Sequence, residues 1–356
     1  MRIAIVAHSR EANASTFIKQ HIKLLRPECV LAMPYLRTSK RIRSIGLEPT
    51  WDWARRFPVR RVLERYQPDV ILAEYGIMGA ELVATAGPEW ARRVVAYFHG
   101  YDSARNDILE RYGRKYRRLF EEAAGIIAVS NDMRSRLEDL GSPPERTHMI
   151  PYSVDFERFQ PRSEPCAQKR LIAVGRFTPK KSPGRTIRAF SKSLRSHPDA
   201  TLRMIGDGPL LAECRALGKE LGISDHLVFL GAQRHDVVAE EMRAARVFVQ
   251  HSVVAPSGDR EGTPVAALEA AASGLPIVST RHEGLKEAIQ DGVTGYLVDE
   301  GDIESMSNKI NDLLADPQSA HIMGVAGRKH IEDNYSAELI GRKLSDLLKN
   351  IGSPHH

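Results

Sequence analysis

Short runs of β-branched and apolar residues alternate along the whole chain with longer stretches whose apolar positions recur every three to four residues. In the first half the short runs predict strands over Arg2–Ala7, Val30–Met33, Val70–Ala73, Val94–Phe98, Ile126–Val129 and His148–Ile150. In the second half they predict strands over Leu171–Val174, Thr201–Ile205, Leu227–Phe229, Val247–Gln250, Ile277–Ser279 and Tyr296–Val298. Between them, Ile108–Ala123, Arg185–Arg195, Leu210–Leu221 and Val237–Ala244 read as amphipathic helices. Strand–helix alternation at this spacing gives parallel, doubly wound sheets, and two sets of strands predict two such α/β domains in tandem. The break is expected near Pro161-Arg162-Ser163-Glu164-Pro165, where prolines interrupt both periodicities. The expected division is residues 1–162, residues 168–333, and a helix over 334–350 packing back on the first domain. In open parallel sheets ligands sit beyond the carboxyl ends of the strands. The functional residues are therefore sought in the loops after the strands, with the expected site in a cleft between facing domains.

Length supports the division, since 356 residues exceed the usual size of one hydrophobic core. No stretch approaches the apolar length of a membrane-spanning helix. The first residues lack a signal-peptide layout, and Cys29, Cys166 and Cys214 suit neither a disulfide framework nor a zinc cluster. A cytoplasmic location is expected. The net charge of +6 lies wholly in the first 160 residues, where 26 Lys/Arg face 20 Asp/Glu. Nine cations fall in Arg37–Arg65, interleaved with Trp51, Trp53 and Phe57. That mixture suits the anionic inner face of a membrane, with a solvated basic helix face as the plainer alternative. No nucleic-acid motif accompanies it.

The densest chemistry lies in Gly258-Asp259-Arg260-Glu261-Gly262-Thr263-Pro264-Val265-Ala266-Ala267-Leu268-Glu269 and the following Ala-rich run to Gly274-Leu275-Pro276. Thr263 suits an N-cap, Pro264 the first helical position and Gly274 the left-handed stop. The helix N-terminus offers free N–H groups and a positive dipole end to a phosphate. Glu269, among small neighbours, can accept two hydrogen bonds from a vicinal diol.

This string resembles the donor-site signature of family 4 glycosyltransferases of the two-Rossmann, GT-B fold. Val174-Gly175-Arg176-Phe177-Thr178-Pro179-Lys180-Lys181 and Ile205-Gly206-Asp207-Gly208-Pro209-Leu210 extend the resemblance. So do Ile150–Phe159, Glu283-Gly284-Leu285-Lys286-Glu287 and Gly292–Val298. It covers the C-terminal half closely and the N-terminal half loosely, and it is nearest to members that assemble exopolysaccharide and lipopolysaccharide. It implies a retaining enzyme that moves a sugar from a UDP- or GDP-sugar to a saccharide or lipid-linked saccharide. Arg176 and Lys181 would hold the diphosphate, Glu269 the ribose, and Glu261 would sit at the transferred sugar near the N–H groups of Gly262, Thr263 and Val265. Gly175, Gly206 and Gly208 would let the backbone pass close to the nucleotide, and Gln233 would reach the base. On the acceptor side His99 resembles the family's cleft histidine, Asp102 is either a base or a helix cap, and Ser15 belongs to a variant of the first loop. Two departures stand out: no Gly-Gly pair follows the first strand, and Ser182 occupies a place where glycine usually follows the lysine. No Asp-x-Asp triad falls in a suitable loop, so metal independence is expected, with fixed cations in the ion's place. An inverting transferase, a sugar-nucleotide epimerase and a non-catalytic nucleotide-sugar sensor remain as alternatives. A dinucleotide dehydrogenase is disfavoured because no Gly-x-Gly-x-x-Gly turn follows Ala7.

Overall fold

The computed structural model describes residues 1–8, 16–33, 43–44 and 59–352. The chain forms two compact units: Met1–Ser153 together with Ala337–His356, and Val154–Ser336.

The first unit holds β1 (Ile3–His8), β2 (Cys29–Met33), β3 (Arg43–Ser44), β4 (Val70–Glu74), β5 (Val94–Tyr97), β6 (Gly125–Ala128) and β7 (Thr147–Met149). They form one sheet in the order β3-β2-β1-β4-β5-β6-β7, parallel except for the short β3 against β2. Every residue of β1, β4, β5 and β6 is buried. Such strands read as continuous apolar runs because helices cover both faces of a parallel sheet. The helix Ala337–Gly352 belongs to this unit and buries Ile340, Leu344 and Leu348.

The second unit holds β8 (Arg170–Val174), β9 (Thr201–Ile205), β10 (Leu227–Gly231), β11 (Val247–Gln250), β12 (Ile277–Thr280) and β13 (Gly295–Val298). Their order is β10-β9-β8-β11-β12-β13, parallel throughout. Its core gathers Leu171, Phe190, Leu202, Val249, Val278 and Ile310. Both sheets reverse winding at an inner pair, β1/β4 in the first and β8/β11 in the second, and crevices open at such switch points.

The unit boundary falls at Ser153/Val154, before the proline-rich stretch. Residues 154–168 already pack on the second unit. Val154 donates its N–H to the Tyr335 carbonyl at 3.1 Å, and the Arg246 guanidinium binds the Cys166 carbonyl at 2.7 Å. Prolines 161 and 165 thus interrupt periodicity inside a segment that tertiary contacts hold. Among the described residues no helix is long and apolar enough to cross a membrane.

Candidate active site

The loops after β8, β9 and β11 converge at the switch point of the second sheet. The N–H of Gly175 binds the Ile205 carbonyl at 2.9 Å, and that of Phe177 binds the Asp207 carbonyl at 2.9 Å. Gly206 has φ 135°, and a Cβ there would lie 2.0 Å from the Gly175 carbonyl oxygen. Only glycine permits this approach. Gly208 makes the next turn, against Phe177. The crevice beside these turns is lined by Gly175, Arg176, Lys181, Thr186, Ile205 and Gln250.

Arg176 is exposed at the rim, and Lys181 is half-buried. The Lys181 ammonium lies 3.2 Å from Glu261 Oε1 and donates to Gln250 Oε1 at 3.3 Å. Burial pulls its pKa down, the Glu261 carboxylate opposes that, and the cations Lys180 and Arg176 reinforce it. Glu261 is buried. Burial alone would raise its pKa, but Lys181 and Lys180 outweigh it and bring the value to about 2. Lys180, buried alongside, donates to Asp259 Oδ1 at 3.1 Å and to the Arg260 carbonyl at 2.9 Å, tying the loop after β8 to the loop after β11.

Glu269 lies in the helix Val265–Ala272, also buried. Burial pushes its pKa up to about 8, with Arg158 opposing and Asp155 adding to the rise. His235 Nδ1 stands 3.6 Å from its Oε1. A carboxylate held this close to neutrality gains from any ligand that donates hydrogen bonds to its ionised form.

One expectation needs correction. Thr263 does not cap the helix: Pro264, with φ −66° and ψ 106°, is the N-cap, and no side chain caps this end. The Gly262 carbonyl accepts the N–H of Gly284 at 3.0 Å. Gly262, Thr263 and Pro264 are buried, and Val265 is half-buried at the first turn. Gln233 is exposed after the edge strand β10 and donates to its own loop at the Leu230 carbonyl, 2.6 Å away. Asp102 is fully buried and accepts N–H groups from Gly76 at 2.8 Å, His99 at 3.0 Å and Gly100 at 2.9 Å. It clasps the loops after β4 and β5 through these three accepted hydrogen bonds.

In the first unit His99 follows β5, with its ring buried and both nitrogens engaged. Nε2 meets Glu74 Oε2 at 2.9 Å, and Nδ1 meets the Tyr152 hydroxyl at 2.9 Å. Glu74 Oε1 in turn meets His21 Nδ1 at 2.7 Å. The His99 ring packs on Phe17, centroids 4.2 Å apart, and stacks on Tyr97 at 4.8 Å. Burial raises the pKa of Glu74, but His21 and His99 prevail and hold it at about 2. Sequence reasoning missed Glu74 and His21. The signal was a carboxylate closing the otherwise apolar run Val70–Glu74. Ser15 lies outside the described residues, as does most of Arg37–Arg65. Among the described residues no group of three or more His, Cys, Asp or Glu is placed to hold a metal ion.

Two sheets of matching strand order, with a crevice lined by Arg176 and Lys181 at the switch point of the second, define a two-Rossmann fold. Comparison with known proteins names the class. The family model for glycosyl transferases group 1 matches residues 155–330, and that for glycosyltransferase family 4 matches residues 23–158. The GDP-mannose-dependent alpha-(1-6)-phosphatidylinositol monomannoside mannosyltransferase of Mycolicibacterium smegmatis is 33% identical over 273 residues, covering 72% of this chain and 70% of that protein. The putative colanic acid biosynthesis glycosyltransferase WcaL of Escherichia coli is 29% identical over 299 residues, covering 81% and 72%. Among solved structures, HepE of Anabaena in complex with UDP and glucose superposes with a TM-score of 0.74 at 18% identity, covering 98% of this chain and 100% of that one. Sucrose-phosphate synthase of Thermosynechococcus elongatus superposes with a TM-score of 0.75 at 20% identity, covering 99% of each. The chain belongs to the family 4 glycosyltransferases of GT-B fold, and it is a glycosyltransferase.

Proposed function

We propose that the protein transfers a sugar, with retention of anomeric configuration, from a UDP- or GDP-sugar to a saccharide or lipid-linked saccharide in cell-envelope polysaccharide or glycolipid synthesis. One observation carries the reading: Lys181, which with Arg176 lines the switch-point crevice, faces the buried Glu261 carboxylate at 3.2 Å. Arg176 and Lys181 take the diphosphate, and their charge stabilises the leaving group as the sugar bond breaks. Donor binding draws Lys181 toward the phosphates and leaves Glu261 beside the transferred sugar. The ionised Glu269 accepts the ribose hydroxyls. The two cations and the first N–H groups of the helix Val265–Ala272 supply the positive charge in place of a metal ion. The relatives named above act on GDP-mannose or are named for colanic acid synthesis, which supports an envelope acceptor. The acceptor would be met at the inner face of the cytoplasmic membrane.

The test is hydrolysis and transfer across a panel of UDP-, GDP- and ADP-sugars in the presence of EDTA, with the anomer of the product read by NMR. The proposal expects one UDP- or GDP-sugar to be cleaved without added metal and the product to keep the donor's configuration. An inverted product, or no cleavage of any donor, would overturn it.

A further inference from the structure

The loop after β11 carries Glu261, and the turn after β12 grips that loop at three successive residues. Arg260 Nη1 lies 3.6 Å from Glu283 Oε1. Glu261 donates its N–H to His282 Nε2 at 3.3 Å, and the Gly262 carbonyl accepts the Gly284 N–H at 3.0 Å. The His282 ring continues outward, with Nδ1 2.5 Å from Glu300 Oε1. Glu300 Oε2 accepts the N–H of Val254, at the start of the same loop, at 2.9 Å. The His282 side chain is 2% exposed and that of Glu300 34%.

The chemistry of this chain allows one arrangement. A backbone N–H can only donate, so Nε2 of His282 is the acceptor and the ring proton resides on Nδ1, from which it is donated as a hydrogen bond to Glu300. A carboxylate in the segment after β13 thereby sets the tautomer of a buried imidazole, and the imidazole sets where the Glu261 backbone lies. The Glu261 side chain is held within the site by the attraction of Lys181, and a donor diphosphate would compete for that same ammonium. Once the ammonium is shared, the backbone anchor is what keeps the carboxylate in place.

We propose that His282 and Glu300 are positioning residues of the transfer site, holding the Glu261 backbone so that its carboxylate stays aimed at the sugar when Lys181 engages the diphosphate. The proposal rests on the reading of Glu261 given above. It assigns work to the turn after β12, through His282.

The test compares His282→Phe, which keeps the ring volume without an acceptor, with His282→Gln, whose side-chain oxygen reaches the Nε2 position. Glu261→Gln runs beside them. Turnover is hydrolysis of UDP-glucose or GDP-mannose, whichever the wild-type chain cleaves, and binding is calorimetric titration with UDP and GDP. A displacement of about 1 Å at a reacting group costs roughly a hundredfold in rate. His282→Phe should therefore lose on that order in kcat with nucleoside diphosphate affinity within about threefold of wild type, His282→Gln should recover most of the loss, and both should melt cooperatively. Wild-type kcat in a folded His282→Phe, or equal losses in the Phe and Gln variants, would overturn the proposal while an inactive Glu261→Gln left the reading of Glu261 standing. Wild-type turnover by Glu261→Gln would overturn both.

Discussion

At the scale of single residues, the second unit sets two buried glutamates in opposite electrostatic states. Glu261 has Lys181 and Lys180 beside it and stays ionised, whereas Glu269 has burial as its largest influence and rises to about 8. Folding raises the Glu269 pKa, so the folded chain favours its protonated form. That contribution to stability is lost as pH climbs from the ordinary carboxylate range to about 8. Diol hydroxyls can donate twice only to the ionised form, so affinity for UDP or GDP should increase over the same window, with proton release. Glu269→Gln should weaken nucleotide binding, flatten that pH dependence, and remove the stability loss. Calorimetry in two buffers of different ionisation heat reads the released proton directly, and unchanged affinity in the variant would contradict the ribose assignment. Glu261 behaves with the other sign. Its stabilising ion pair is complete above the ordinary carboxylate range and is lost as pH falls toward about 2.

At the scale of elements, turns and strand ends hold the chemistry in place. Asp102 joins the start of the helix Gly76–Ala86 to the loop after β5 through three backbone N–H groups. Asp102→Ala strands those donors in a buried setting, each at about 1–3 kcal/mol when unsatisfied. The variant should melt well below wild type while a folded sample still binds UDP or GDP. A wild-type melting temperature with lost activity would instead mark Asp102 as chemically active. The strands were legible in the sequence because parallel strands buried on both faces are continuous apolar runs, as in Val70–Glu74. The two-residue β3 was not, since Arg43–Ser44 has no periodicity to read. Arg176 and Lys181 were legible from their position after a strand end, and Glu261 and Glu269 from their place before and within the helix that follows β11, with their roles implied by the family resemblance. The His21–Glu74–His99 and His282–Glu300 links were not, because each joins distant residues that look ordinary where they stand. Ser182 shows why glycine is usual at its position: it sits at φ 39° and ψ 53°, left-handed, where a side chain costs roughly 1–2 kcal/mol.

At the scale of the whole molecule, the two units differ in charge. The second, Val154–Ser336, carries 23 Lys/Arg against 25 Asp/Glu, whereas the first carries 28 against 20, with much of its excess in Arg37–Arg65. Of that window the helix Val59–Tyr66 presents Arg60, Arg61 and Arg65 outward while burying Val59, Val62 and Leu63. If the window meets anionic lipid, binding to acidic vesicles should fall steeply with salt, because exposed charges are screened beyond about 8 Å at physiological ionic strength. Replacing Arg55, Arg56, Arg60 and Arg61 with Gln should abolish vesicle binding and leave hydrolysis of a soluble donor intact. Wild-type protein that ignores acidic vesicles at low salt would defeat the membrane assignment.

The central claim is that the switch-point cations hold a diphosphate, and one set of titrations tests it. Uridine, UDP, guanosine and GDP are titrated into the wild-type chain, Arg176→Ala and Lys181→Ala. The account predicts that for the nucleotide the wild type prefers, the affinity gained from nucleoside to diphosphate shrinks sharply in both variants while nucleoside affinity is unchanged. In the same variants turnover should fall by roughly 2–4 kcal/mol of transition-state stabilisation. Equal weakening of nucleoside and diphosphate, or a diphosphate increment preserved in both variants, would contradict it.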